Sequence, residues 1–180
     1  MLYSHKECLE KYKSNYKIKQ AVSEGKLFKL ASGIYSDKKN VPDTAIIRKK
    51  YPKSVFTLNS AFYYQGLTDT IPMYYYLLTD KDSSKISNKQ VKQSFDNCRS
   101  MDMGVEIINY NGDDITVFSK ERLLVELIRN KSKLPYDYYK EIIGNYRKII
   151  YELDFEEVEE YANNLPKTKM VMETIQSEVF

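Results

Sequence analysis

Two cysteines and one histidine are all that this 180-residue sequence offers to thiol or soft-metal chemistry. Cys8 and Cys98 lie far apart and match no zinc or redox spacing. One histidine and two scattered cysteines cannot close a metal site on counting alone. His5 and Cys8 stand at i, i+3 and can meet on one helix. Nothing supplies the third group that would orient such a pair, so no thiol catalyst is expected. Reduced thiols in a cytoplasmic protein are the plain expectation. No apolar run approaches the roughly 20 residues of a membrane span. The opening MLYSHKECLEKYK has no apolar core and no small-residue cleavage site, so no secretion signal and no membrane partner are expected. Neither G-x-x-x-x-G-K-[ST] nor G-x-G-x-x-G occurs, which removes the usual nucleotide-phosphate cradles. No cofactor and no metal follow from the residues, and no enzyme.

What is present is a normal globular composition, 42% hydrophobic and 29% charged. The length suits one ordinary domain or a small module plus a medium one. The net charge of +3 is mild, but it is unevenly spread. Residues 1–40 hold nine lysines against four acids, a net of +5, and the rest of the chain is slightly acidic at −2. A basic head on an acidic body is the electrostatic footprint of a nucleic-acid-binding end. The 17 tyrosines invite a base-stacking role. Tyr63-Tyr64 and Tyr74-Tyr75-Tyr76, however, lie in apolar segments without interleaved bases, so core packing with hydroxyls at the rim is the better reading. Asp102, Glu106, Asp113 and Asp114 read as turn and solvated residues rather than a converging nuclease set. Glu156-Glu157-Val158-Glu159-Glu160 reads as a solvated helix face or a partner surface.

Ser4 caps a short helix to about Tyr12, with Cys8 and Leu9 inward. Ser14 or Asn15 caps a second to about Glu24, with Ile18, Ala21 and Val22 as its apolar stripe and Gly25 as its stop. Leu27, Phe28 and Leu30 predict a strand, and Ile34-Tyr35 another, with a turn at Ala31-Ser32-Gly33. Helix, tight connection, helix and hairpin is the order of a winged helix-turn-helix. Its usual first helix is missing unless residues 1–3 substitute a short strand. A polar, turn-rich DKKNVPD puts a domain boundary near residues 37–43. Beyond it come a helix from Pro42-Asp43 to Lys50, a strand at SVFT, and a helix from Leu58-Asn59-Ser60 that ends at Gly66. MYYYLLT predicts a strand buried on both faces. Residues 80–90 predict an exposed loop and 91–95 a possible strand. VEIINYNGDDITVFS predicts a hairpin turning at NGDD. Helices follow at 119–130, 136–151 and 154–164, and one beginning at Pro166. The expected fold class is α+β. A winged helix-turn-helix DNA-binding domain at 1–40 precedes a larger domain at 41–180, with a small, mainly antiparallel sheet and C-terminal helices.

The N-terminal residues of a recognition helix meet base edges in the major groove. Here they are Ser14, Asn15, Tyr16, Lys17, Lys19 and Gln20. Asn15 and Gln20 can pair with adenine, and the lysines can reach guanine or phosphate. Ser4 and Lys6 are expected on phosphates. Lys26 and Lys29 on the wing, with Ser32 at its tip, are expected at the backbone or minor groove. One head has a small footprint, so two copies on an inverted repeat are expected.

GKLFKLASGIYS (25–36) resembles the wing of the AbiEi family, the antitoxins of type IV toxin–antitoxin (abortive infection, phage defence) systems. YPKSVFTLNSAFYYQGLTDTIP (51–72) resembles that family's proline-marked strand and serine-alanine helix start. ITVFSKERLLVELIRN (115–130) is similar to its strand followed by a Ser-x-Glu-Arg helix. The resemblance implies a repressor that binds inverted repeats of double-stranded DNA in its own promoter. It also implies antagonism of a nucleotidyltransferase-type toxin without a stable complex, and no enzymatic activity. Ser60, Gly66 and Arg122 match motif positions and imply a helix start, a helix stop and a buried or paired arginine. Glu126 stands where relatives often have Asp. The same pattern also suits a regulator without a toxin, or a protein-interaction module.

Overall fold

The computed structural model describes residues 1–180 except for the side chain of Cys98, so the thiol expected there lies outside the described residues. The chain is α+β and forms two compact units. The first is Met1–Lys53 with the hairpin tip Asn109–Ile115, and the second is Ser54–Ile108 with Thr116–Phe180.

In the first unit a strand, β1 (Leu2–Ser4), leads directly into helix α1 (His5–Tyr12), and α2 (Asn15–Ser23) follows. The hairpin β2 (Phe28–Ala31) and β3 (Ile34–Ser36) comes next, then α3 (Asp43–Lys50). β1 is the short strand allowed for at residues 1–3, and it pairs antiparallel with β3, giving a three-stranded sheet in the order β1-β3-β2. Cys8, Ile18, Ala21, Leu27 and Tyr35 form the core, with Tyr3, Leu9, Tyr12 and Val22 packed around it. Leu27 is buried just before β2 rather than within it, and this shifts Lys26 off the hairpin into the turn that leaves α2. α3 packs on β1 and β3, and Lys49 Nζ pairs with Glu7 Oε2 at 2.7 Å.

The second sheet is built on strands β4 (Val55–Phe56), β5 (Tyr75–Asp80), β6 (Val91–Asp96), β7 (Val105–Tyr110) and β8 (Asp113–Phe118), in the order β6-β5-β4-β8-β7. This sheet is mixed, which corrects the expectation of a mainly antiparallel one. β5 and β6 run parallel over six residue pairs, and Phe56 pairs parallel with Val117, whereas β4 and β5 are antiparallel. The cause is residues 81–90, which bring the chain back beside β5 instead of turning it over. Ten extended residues reach about 33 Å, enough to recross a six-residue strand. Gln93 fastens this return, donating to Ser84 O at 3.2 Å and Thr79 Oγ1 at 2.8 Å and accepting from Ile86 N at 2.7 Å. β5 begins at Tyr75, leaving Met73 outside the strand and exposed, but Leu77, Leu78 and Thr79 are buried in succession, so both faces are covered there. The hairpin turns on Asn111-Gly112, both at positive φ, as a two-residue turn of a right-twisted ribbon requires. Asp113 and Asp114 therefore open β8 instead of forming the turn.

Helix α4 (Leu58–Tyr64) lies between β4 and β5 in sequence. Ser60 is its third residue, and its hydroxyl serves tertiary packing rather than the helix start. It donates to Tyr74 O at 3.2 Å and accepts from Tyr76 N at 2.9 Å, tying α4 to β5. Gly66, at φ +70°, follows the helix C-cap and stops it as expected. A short helix that the sequence did not suggest, α5 (Cys98–Asp102), precedes β7. Then come α6 (Lys120–Arg129), α7 (Tyr136–Lys148), α8 (Phe155–Asn164) and α9 (Thr168–Thr174), which passes into a π-helical turn at Ile175–Val179. α6 is the central helix, buried from Arg122 through Ile128 and packed against α4, α8 and α9.

Arg122 is fully buried and ion-paired. Glu126 Oε1 accepts from its Nη2 at 2.8 Å and its Nε at 3.2 Å, Ser100 O accepts from Nη1 at 3.0 Å, and the guanidinium lies 4.6 Å from the Phe118 ring centroid. Burial pulls the Arg122 pKa below its ordinary value and Glu126 pulls it back. Glu126 also accepts from Arg129 Nη1 at 2.7 Å and from Asn130 Nδ2 at 3.1 Å.

Candidate nucleic-acid interface

α1 begins with a capping box. Ser4 Oγ accepts from Glu7 N at 3.3 Å and Glu7 Oε2 accepts from Ser4 N at 2.6 Å, satisfying two backbone donors that a helix start leaves open. Ser4 is thus occupied as a cap. Glu7 is also fixed: the Lys49 ammonium, then the Ser4 amide, hold its carboxyl down at about 2. Lys6, next to Glu7 in the chain, is exposed and makes no ion pair among the described residues.

α1 ends at Lys13, which takes a left-handed φ of +66°, and Ser14 at once caps α2 by accepting from Lys17 N at 3.2 Å. Two residues therefore separate the helices, and α2 follows a sharp turn. Its orientation is set by Ile18 and Ala21, both buried, and by Val22 packed beside them. Each residue advances about 100° around the axis, so Tyr16, Gln20 and Ser23 face directly away from that stripe. Lys17 and Lys19 lie on either flank and Asn15 lies nearer the core edge. Asn15, Tyr16, Lys17, Lys19 and Gln20 are all exposed, Tyr16 by 76%.

The hairpin tip is tied to the start of α1, because His5 N donates to Gly33 O at 2.8 Å. Gly33, at φ +76°, closes the turn. Lys29 and Ser32 project as exposed side chains. Lys26 lies near the end of α2 and is paired with Glu24 at 2.7 Å.

The candidates thus fall into two groups. Lys6, Asn15, Tyr16, Lys17, Lys19, Lys29 and Ser32 are exposed side chains without an ion pair or ring contact among the described residues. Ser4, Ser14, Gln20 and Lys26 already hold another group in place. Lys13 is an exposed basic residue at the helix junction that was not among the candidates, and its place in the lysine-rich segment was the only signal for it. Over the whole first unit, thirteen basic residues stand against seven acids, a net of +6, which leaves −3 for the second unit.

Elsewhere the chemistry-bearing side chains are scattered or occupied. Glu106 accepts from Gln65, and Asp114 Oδ1 accepts from Asn109 Nδ2 at 3.0 Å. Among the described residues no three His, Cys, Asp or Glu side chains are placed to hold a metal ion. Cys8 is buried and its thiol is pushed up by desolvation, the opposite of what a nucleophile needs. A cleft of about 230 Å³ in the second unit is lined by Asp96, Arg99, Ser100, Arg129 and Asn164. These groups largely satisfy one another, Ser100 Oγ donating to Asp96 at 2.8 Å and Arg99 to Asn164 at 3.3 Å. Among the described residues no helix is long and apolar enough to cross a membrane. No protein-family model matches the chain, and no curated protein matches it.

Proposed function

We propose that the first unit is a winged helix-turn-helix that binds double-stranded DNA, with α2 in the major groove and the β2–β3 turn as the wing. The observation that carries this reading is the outward face of α2. It is a capped, nine-residue helix after a two-residue junction, with Lys17 and Lys19 flanking Tyr16 and Gln20 and opposite a buried stripe. The +6 charge of this unit supplies the sequence-independent attraction.

In this reading the protein is a cytoplasmic, non-enzymatic repressor of its own operon, bound as two copies to inverted repeats in its promoter. The resemblance of 25–36, 51–72 and 115–130 to AbiEi sequences supports the further assignment as the antitoxin of a type IV system. The second unit then counters a nucleotidyltransferase-type toxin without forming a stable complex.

The test is titration of a duplex carrying the protein's upstream promoter, against a scrambled duplex, over a salt series. Lys6, Lys13, Lys17, Lys19 and Lys29 give up to five phosphate contacts per copy, so log K should fall with log salt at a slope of up to about −4.5 per copy. Equal binding to both duplexes with little salt dependence rejects the DNA reading and leaves a protein-interaction module. Co-expression with an adjacent nucleotidyltransferase gene then separates an antitoxin, which restores growth, from a plain regulator, which does not.

A further inference from the structure

The outward ridge of α2 carries two side chains of unlike chemistry, Tyr16 and Gln20, one helical turn apart. Neighbours at this spacing present their tips to the same patch of a partner. Gln20 is not loose. Its Nε2 donates to Glu24 Oε1 at 2.8 Å, and the other oxygen of Glu24 accepts from Lys26 Nζ at 2.7 Å. An acid on a surface that meets phosphates is a liability, because it repels them. Here Lys26 neutralises it, and what Glu24 contributes is the orientation of the Gln20 amide. With one N–H engaged, that amide keeps its second N–H and its carbonyl oxygen. A donor and an acceptor side by side match the N6 and N7 edge of adenine in the major groove. Tyr16 stands beside it, exposed by 76%. An exposed ring among lysines buries its apolar face only against a partner, and the thymine methyl is the apolar feature of the major groove.

We propose that Gln20, held by Glu24, reads an adenine, and that Tyr16 packs on the methyl of a thymine in the same or an adjacent pair. Each half-site of the target then carries an A·T step under the middle of α2. Glu24 is a positioning residue that sets sequence preference without adding affinity. The proposal rests on the DNA-binding reading above and adds the identity of the base and the residues that choose it.

The experiment uses the full chain and a pool of duplexes with a randomised core, selected by the wild-type protein. Affinities are then measured for the selected duplex, for one with the A·T pair changed to G·C, and for one with deoxyuridine in place of the thymine. All three substituted positions are exposed, and far-UV circular dichroism checks that each variant is folded. The wild type should prefer A·T by roughly 5- to 150-fold, the range for one bidentate base contact. Gln20→Ala and Glu24→Ala should lose most of that preference, while Glu24→Ala binds unselected DNA at least as tightly as the wild type. Glu24→Gln, whose amide oxygen can still accept from Gln20, should retain it. Removing the thymine methyl should weaken the wild type and leave Tyr16→Ala unaffected.

A Gln20→Ala protein with the full A·T preference overturns the base assignment and leaves the DNA-binding reading standing. A Glu24→Ala protein with undiminished preference overturns the positioning role. Salt-independent, non-selective binding by the wild type overturns both the reading and this inference with it.

Discussion

Removing the Glu126 carboxylate tests the body of the protein most severely. Glu126→Ala deletes the acceptor that holds Arg122 Nε and Nη2 and Arg129 Nη1. Arg122 has no exposure to water, and an arginine cannot discard its charge by deprotonation. Ser100 O still accepts from Nη1, so part of the cation remains solvated by backbone, while the Nη2 and Nε protons have no replacement. Breaking a buried pair from one side costs about 3 to 5 kcal/mol. For a domain of this size that corresponds to a fall in Tm of roughly 10 to 20 °C. The double variant Arg122→Met/Glu126→Leu removes both charges at once and should recover most of the loss, because apolar replacement of a whole buried pair is close to neutral. The assay is urea unfolding followed by tyrosine fluorescence and circular dichroism, with all three proteins at one pH. A Glu126→Ala protein within about 1 kcal/mol of the wild type, the size of a surface pair, would refute the reasoning. So would a double variant less stable than the single one.

Three other outcomes follow from the same physics. Lys17→Ala with Lys19→Ala should abolish promoter binding at physiological salt, measured by gel shift, with an unchanged circular dichroism spectrum; retained binding would remove α2 from the interface. Gly104→Ala should destabilise by about 1 to 3 kcal/mol in urea titration, because φ there is +65° and a new Cβ would lie 2.6 Å from Arg122 Cβ. Glu7 is held down at about 2 by Lys49 and the Ser4 amide, so its stabilisation is fully present above the ordinary carboxylate range and is lost as pH falls through the folded value. The stability gap between wild type and Glu7→Gln, followed by circular dichroism melts, should therefore be constant from neutral pH to about 5 and shrink toward pH 2. A gap that grows on acidification would overturn the assignment.

Much of the local structure was legible because its signals are local. Ser4, Ser14 and Ser119 sit at helix starts and accept from the amide three residues on, which is a property of neighbouring residues only. Gly25 and Gly66 mark helix ends for the same reason. The stripe Leu123, Leu124, Leu127 and Ile128 announced α6. In the candidate interface, the order of α1, α2 and the hairpin, and the exposure of Lys17 and Lys19, were readable from the spacing of Ile18, Ala21 and Val22. The boundary expected near residue 40 and the two compact units differ by one helix, α3, and by the hairpin tip Asn109–Ile115. The place of α3 in the first unit follows from packing on β1 and β3 and from the Lys49–Glu7 pair. None of these contacts leaves a mark in the sequence around residue 40.

The sequence by itself determined every helix but the short α5, the serine caps, the place of both hairpins and the concentration of positive charge in the first 40 residues. Each depends on residues within about one turn of one another, or on composition. Only the tertiary structure decided that β6 runs parallel to β5, that Arg122 and Glu126 share one interior, and which of the polar side chains near α2 are already occupied. Strand direction depends on where a ten-residue return is fastened, here by Gln93. The occupancy of a side chain depends on what the rest of the fold brings beside it.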